Sequence, residues 1–202
     1  MSSKRHSTAP SAPKPPVHLS SHLTIADSAQ LTGTHLIEIR GESVVHPRAR
    51  LESSAGRIAV GRRCVVHERA TVGAAPSAGG VSGRVAAAGA DGGGGVVAVT
   101  LAECVTVEVG AVIEAGETVI GEGTVVGVGA RVGARAVVGK HCTLTPYTEI
   151  AAGEVVPDFT VVYSNGLRRT DKRGVAELKN KGLARQIDVL KRMIPSNPAK
   201  FA

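Results

Sequence analysis

The sequence predicts an all-β parallel solenoid closed by a C-terminal α-helix. Three observations carry that prediction: aliphatic residues at every sixth position, a core almost without large rings, and a late change to helical spacing. From Ile120 the sixfold series runs Ile120, Val126, Val132, Val138, Leu144, Ile150, Val156, Val162. Simple strand alternation would also put aliphatics six apart, but it would require apolar residues at the second position. Glu122, Lys140, Pro146 and Asp158 stand there instead, so the period is six. Aromatics make up only 2% of the chain, with no Trp and 25 Gly. Such a core must be thin and regular, filled by Val, Ile, Leu and Ala, which suits stacked coils.

Taken in order, residues 1–22 are basic, hold Pro10, Pro13, Pro15 and Pro16, and read as a disordered tail. The solenoid is expected over 23–163. Ile25 and Leu31 open it, followed by the runs Ile39–Val45–Leu51, Val60–Val66–Val72 and Leu101–Val107–Ile113–Val119. The last run slips by one residue against Ile120, which calls for a bulge or a corner insertion. Small residues four positions on (Thr124, Ala130, Ala136, Cys142, Thr148, Thr160) share the interior. Gly121, Gly127, Gly133 and Gly139 follow the axial aliphatics and are expected to relax the corners. Five or six coils stacked about 4.8 Å apart give a prism roughly 25–30 Å tall.

Residues 73–98 interrupt the repeat with a Gly/Ala-rich stretch that reads as a flexible loop thrown out of one coil. The run Gly92 to Gly95 has the glycine content of a phosphate cradle, but the Lys-Ser/Thr and strand–helix context of a P-loop are missing. Residues 164–202 begin with a charged connector, LRRTDKR at 167–173. Leu183, Ile187, Leu190 and Ile194 then lie on one helical face, and Pro195 and Pro198 end it. That face is expected to pack on a flank of the prism. The alternative is a basic amphipathic helix that meets a partner or an anionic membrane.

Charge and cysteine content exclude several classes. The formal net charge is +7, yet the basic excess lies in residues 1–22 and 164–202, and the body is net acidic. Without a basic folded face or stacking aromatics, no nucleic-acid partner is expected. Cys64, Cys104 and Cys142 are widely spaced with no CxxC pair, which fits reduced thiols in a cytoplasmic setting. No apolar run approaches the roughly 18 residues of a membrane span, and MSSKRHSTAPSAPKPP has no apolar core of a secretory signal.

The candidates for chemistry are histidines. His46 and His67 each occupy a corner just after an axial aliphatic, and His141 adjoins the interior Cys142. Acyl transfer needs a histidine base for the acceptor hydroxyl or amine, but no carboxylate stands at a fixed offset from any of the three. Cys64 and Cys142 fall at the small interior position, where Cys acts as a compact hydrophobe.

Hexads such as VGVGAR, VGARAV and VGKHCT resemble the hexapeptide repeat of left-handed parallel β-helix proteins. The left hand is what that resemblance implies, since ordinary parallel crossovers are right-handed. The superfamily holds acyltransferases, γ-class carbonic anhydrases and non-catalytic subunits. An anhydrase of this kind carries paired His ligands in a hexad stretch. Here the counterpart is VEVGAVIEAG (107–116), with Glu108 and Glu114 and no His. A closer resemblance lies in IRGESVVHPRARL (39–51), FTVVYSNGLRRTDKR (159–173) and IDVLKRMIPSNPAKF (187–201), which look like the dynactin subunit 6 family. That resemblance implies a non-catalytic scaffold of the dynactin pointed end, cytoplasmic and cytoskeleton-associated, supporting dynein-dependent transport along microtubules. Its implied partners are dynactin subunit 5, the actin-related protein and the large zinc-containing subunit, with dynein and membrane cargo reached indirectly. No catalytic, cofactor-binding or metal-binding residue is then expected. The alternative is a homotrimeric hexapeptide-repeat acyltransferase or anhydrase-like enzyme, whose sites form between subunits and depend on His67 or His141.

Overall fold

A computed structural model of the chain describes residues 14–77 and 97–201. The first coil holds β1 (Val17–Leu19), β2 (Thr24–Ile25) and β3 (Gln30–Gly33). The second holds β4 (Ile37–Ile39), β5 (Val44–Val45) and β6 (Arg50–Ser53); the third, β7 (Arg57–Val60), β8 (Val65–Val66) and β9 (Thr71–Ala74). The fourth holds β10 (Val97–Leu101), β11 (Thr106–Val107) and β12 (Val112–Glu114). The fifth holds β13 (Thr118–Ile120), β14 (Val125–Val126) and β15 (Arg131–Val132); the sixth, β16 (Val137–Val138), β17 (Thr143–Leu144) and β18 (Glu149–Ile150). Then come β19 (Val155–Val156), β20 (Thr160–Val162), β21 (Arg168–Thr170) and the helix α1 (Ala176–Met193).

Each coil contributes one strand to each of three parallel sheets, in the orders β1-β4-β7-β10-β13-β16-β19, β2-β5-β8-β11-β14-β17-β20 and β3-β6-β9-β12-β15-β18. This is a left-handed parallel β-helix of about six turns. Along the second face Ile25, Val45, Val66, Val107, Val126, Leu144 and Val162 stand in register and are buried. Every axial residue from Ile120 to Val162 is buried as well. Burying each contributes about 1.5–3 kcal/mol.

The breaks in the sixfold series all fall at one corner, between the third face and the first. There the axial interval lengthens from Leu31 to Ile39, Leu51 to Val60, Val72 to Leu101 and Ile113 to Ile120, then settles at six. The slip at Val119 has the same cause: the register shifts between Ile113 and Glu114, so Ile120 points inward and Val119 outward. The insertion leaves through this corner too. Its bounds are narrower than 73–98, because β9 runs to Ala74 and β10 starts at Val97. Residues 78–96 lie outside the described residues.

The glycines after the axial residues do not serve as left-handed corners. Those corners are made mostly by other residues, including Glu42, Arg63, Cys104 and His141 before the second face, with φ of 53–62°. Gly121 is required by close approach: a Cβ there would lie 2.5 Å from the backbone carbon of Gly139 on the next coil. The small interior positions carry a second ladder. The hydroxyls of Ser43 and Thr124 donate to the carbonyls of Gly61 (2.9 Å) and Gly139 (2.8 Å). The thiols of Cys64 and Cys142 donate to those of Ala102 (3.0 Å) and Pro157 (3.1 Å).

Part of the expected N-terminal tail joins the fold, and the C-terminal helix packs on a flank of the prism as its apolar face implies. Val17–Leu19 pairs with β4, so the solenoid starts before residue 23; residues 1–13 lie outside the described residues. The charged connector forms β21, antiparallel to β20, and covers the last coil of the second face. The helix then runs back along that face. Near its start Lys179 Nζ donates to Thr143 Oγ1 (3.4 Å), and farther along the buried Ile187, with Leu183, Leu190 and Ile194, packs on Val44 and Val65. Beyond it, Ile25 N–H donates to Ser196 Oγ (2.9 Å) and Asn197 N–H to the Ile25 carbonyl (3.1 Å). Both ends of the second face are thus covered by the chain's own C-terminal segment, which removes the open edges of that face.

Candidate active site

At the corner between the second and third faces, successive coils place one residue each in a column. His46 N–H donates to the Val66 carbonyl, His67 N–H to that of Val107, and Glu108 N–H to that of Val126. His46, His67 and Glu108 therefore occupy equivalent positions on consecutive coils, about 4.8 Å apart along the axis. The two imidazoles stack, with centroids 4.5 Å apart and planes 29° from parallel.

Their environments set their charge. Burial, and then the neighbouring His67, push the His46 imidazole down to about 4, with Glu68 opposing. Its Nε2 is buried without a hydrogen-bond partner. Burial also holds His67 below its ordinary value, opposed by the Glu108 and Glu68 carboxylates. Both rings are neutral at pH 7, which leaves His67 able to accept a proton.

His67 opens into a cleft of about 490 Å³ between the second face and α1. Thr106, Val125 and Thr143 form its floor; Lys179, Asn180 and Leu183 of α1 form its roof. Glu108 lines it beside His67, and Cys104 and Gly123 line the opposite corner. The apolar contacts of α1 with this face run from Ile194 back to Leu183, and the polar Asn180 and Lys179 follow. Burial raises the Cys104 thiol, so it is not a thiolate at neutral pH.

His46 and His67 are therefore brought together, and His141 is not. It occupies the corner before the second face, stacked on Phe159 at 5.3 Å. A Cβ at Gly123 would lie 2.3 Å from its Nδ1, so its ring covers that glycine from the next coil. Cys64 is sealed in the interior, its thiol pushed up to about 12 by burial, and Cys142 is raised for the same reason. Among the described residues no group of three or more His, Cys, Asp or Glu side chains is placed to hold a metal ion, so a three-histidine centre does not fit this chain by itself. The carboxylate missing from the sequence reading is Glu108, one coil beyond His67 but 41 residues away because the insertion intervenes. Lys179 and Asn180 come from the helix, where the sequence showed only a charged surface.

No protein-family model matches the chain, and no curated protein matches it. Solved structures do. The hexapeptide transferase family protein of Anaplasma phagocytophilum is 15% identical, covers 87% of this chain and 95% of its own, and superposes with a TM-score of 0.60. A candidate acetyltransferase from Bacillus cereus is 15% identical, covers 89% and 92%, and gives a TM-score of 0.61. The shared property is the fold.

These neighbours overturn the expectation drawn from the dynactin subunit 6 family. One is named a hexapeptide transferase family protein and the other an acetyltransferase, and neither is a dynactin subunit. With that expectation go the implied partners (dynactin subunit 5, the actin-related protein, the large zinc-containing subunit, dynein and its cargo) and the cytoskeletal location. The structure shows why the three segments misled. Residues 39–51 build a coil and its His46 corner, 159–173 the β20–β21 hairpin that caps the stack, and 187–201 the helix and strap that cover the first coil. Each meets a mechanical need of a capped solenoid. Among the described residues no helix is long and apolar enough to cross a membrane.

Proposed function

We propose that this chain is an acyltransferase that moves an acyl group from a thioester to the amine or hydroxyl of a small acceptor. The observation that supports this most is the His46–His67–Glu108 column opening into the cleft beneath α1. His67 is the general base. Held neutral by burial, it takes the proton from the acceptor as the nitrogen or oxygen attacks the thioester carbon. Glu108, one coil away on the same column, stabilises the imidazolium as it forms. The C–S bond breaks as the new C–N or C–O bond closes, and the imidazolium returns its proton to the leaving thiolate. His46 stacks behind the base and, being neutral itself, adds no positive charge that would oppose protonation of His67. The three free cysteines suit the reducing cytoplasm.

The first test is release of free thiol from acetyl-coenzyme A by the purified protein, across a panel of amino sugars, hydroxylated sugars and simple amines. Release that depends on one acceptor class supports the reading. Release no faster than spontaneous hydrolysis with every acceptor contradicts it.

A further inference from the structure

A second cavity adjoins the first at the last coils of the second face, where Thr143 lines both. It measures about 670 Å³ and is bounded by Thr143, Val161, Tyr163, Arg169 and the segment Thr170 to Arg173. That volume suits a small molecule. The β20–β21 hairpin that builds it is fixed at several points. Tyr163 N–H donates to the Leu167 carbonyl and Gly166 N–H to that of Tyr163, both at 2.9 Å. Arg168 pairs with Glu154, which pins one side of β21. Side chains alternate along a strand, so Arg169 turns to the other side, in register with Val161 and toward the cavity.

The charge around this cavity is unbalanced. Its carboxylate, Asp171, is engaged by Arg173 through Nε and Nη2, both at 2.7 Å, and by Lys179 at 3.6 Å. Those contacts hold it well below the usual carboxylate range, so it stays ionised, and Arg173 N–H also donates to it. Arg169 and Lys172 have no counter-charge among the described residues. Two uncompensated cations therefore line the cavity together with Tyr163 and Thr143, on and just beyond a hairpin already held in place. Guanidinium and ammonium groups flanked by hydroxyls match a phosphate group, which takes charge-assisted hydrogen bonds from all of them.

We propose that this cavity binds the phosphate group of a phosphorylated small molecule, with Arg169 and Lys172 as its cationic contacts. The cavity shares Thr143 with the cleft, but its two cationic contacts stand on the β21 hairpin and the segment after it, away from His67.

Calorimetric titration with inorganic pyrophosphate and, separately, with ADP tests it on the full chain. The wild type binds at least one probe saturably, and binding weakens as salt is raised. The R169A/K172A double variant, whose side chains are exposed, keeps the wild-type melting temperature and binds at least tenfold more weakly. His67→Ala binds as the wild type does, because that ring does not line this cavity. Tighter binding of ADP than of pyrophosphate identifies an ester whose organic part lies against Tyr163; equal binding identifies the phosphate alone. No saturable binding of either probe at millimolar concentration overturns the proposal. So does equal affinity in the double variant.

Discussion

Replacing His46 by Phe tests the electrostatics of the column, because it keeps a ring stacked on His67 and removes one titrating group. In the folded chain His46 stays neutral down to about pH 4, whereas in the unfolded chain it titrates near its ordinary 6.5. A base whose folded value is depressed stabilises the fold fully above 6.5, and that stability drains away as pH falls toward 4. The full interval corresponds to at most about 3 kcal/mol. His46 is only partly buried, and solvent screening reduces the effect to about 1–2 kcal/mol. Glu38, Glu42 and Asp171 have depressed values too, but they start from 4.5, 4.5 and 3.8, so their contributions fade only in more acid solution. The window from pH 7.5 to 5.0 therefore isolates histidine. His67 is depressed as well and contributes equally to both proteins. Urea denaturation at the two pH values should show the wild type losing about 1–2 kcal/mol more than His46→Phe. At pH 7.5 the variant should be at least as stable, since it removes a buried Nε2 that has no partner. Equal losses in the two proteins would refute the reasoning.

Other substitutions probe the stack. Thr124→Val leaves two buried backbone groups unpaired, the Gly139 carbonyl and the Cys142 N–H (3.1 Å from Thr124 Oγ1), and should cost about 2–4 kcal/mol in urea melts, with Thr124→Ser costing less. Gly121→Ala drives a Cβ into the backbone of the next coil and should cost about 1–3 kcal/mol. Gly182→Ala, in the middle of α1 with nothing within 4 Å of its Cβ, should instead stabilise by about 0.5–1 kcal/mol, read as a rise in melting temperature.

The solenoid was legible because a packed axis leaves only one large aliphatic per side, and that demand recurs at each coil regardless of neighbours. Its breaks were harder to interpret, since a corner of variable length looks in sequence like a lost repeat. Ile113 and Ile120 show this: seven residues apart, they are still consecutive axial positions. β1 and β21 were hidden for another reason. Val17–Leu19 sits among prolines and Arg168–Thr170 among charges, and only pairing with β4 and β20 makes them strands. The site suffered most from the insertion. His46 and His67 are 21 residues apart and could be suspected of sharing a corner, but Glu108 joins them across a gap no fixed spacing reveals. The three segments that resembled another family were real features of the sequence, yet their work is to build, cap and strap the coils.

The central claim is that His67, assisted by Glu108, removes the acceptor's proton. The most direct measurement is the pH dependence of kcat/KM for acyl transfer in the wild type, His67→Gln and Glu108→Gln. In the wild type, activity should rise through a single ionisation below the ordinary histidine value of 6.5, in line with the burial of that ring. His67→Gln should abolish this ionisation and lower kcat/KM by about 10²–10⁴. Glu108→Gln should keep the ionisation, moved still lower by loss of the opposing carboxylate, with a smaller fall in rate. A His67→Gln protein with wild-type kcat/KM and an unchanged pH profile would contradict the assignment.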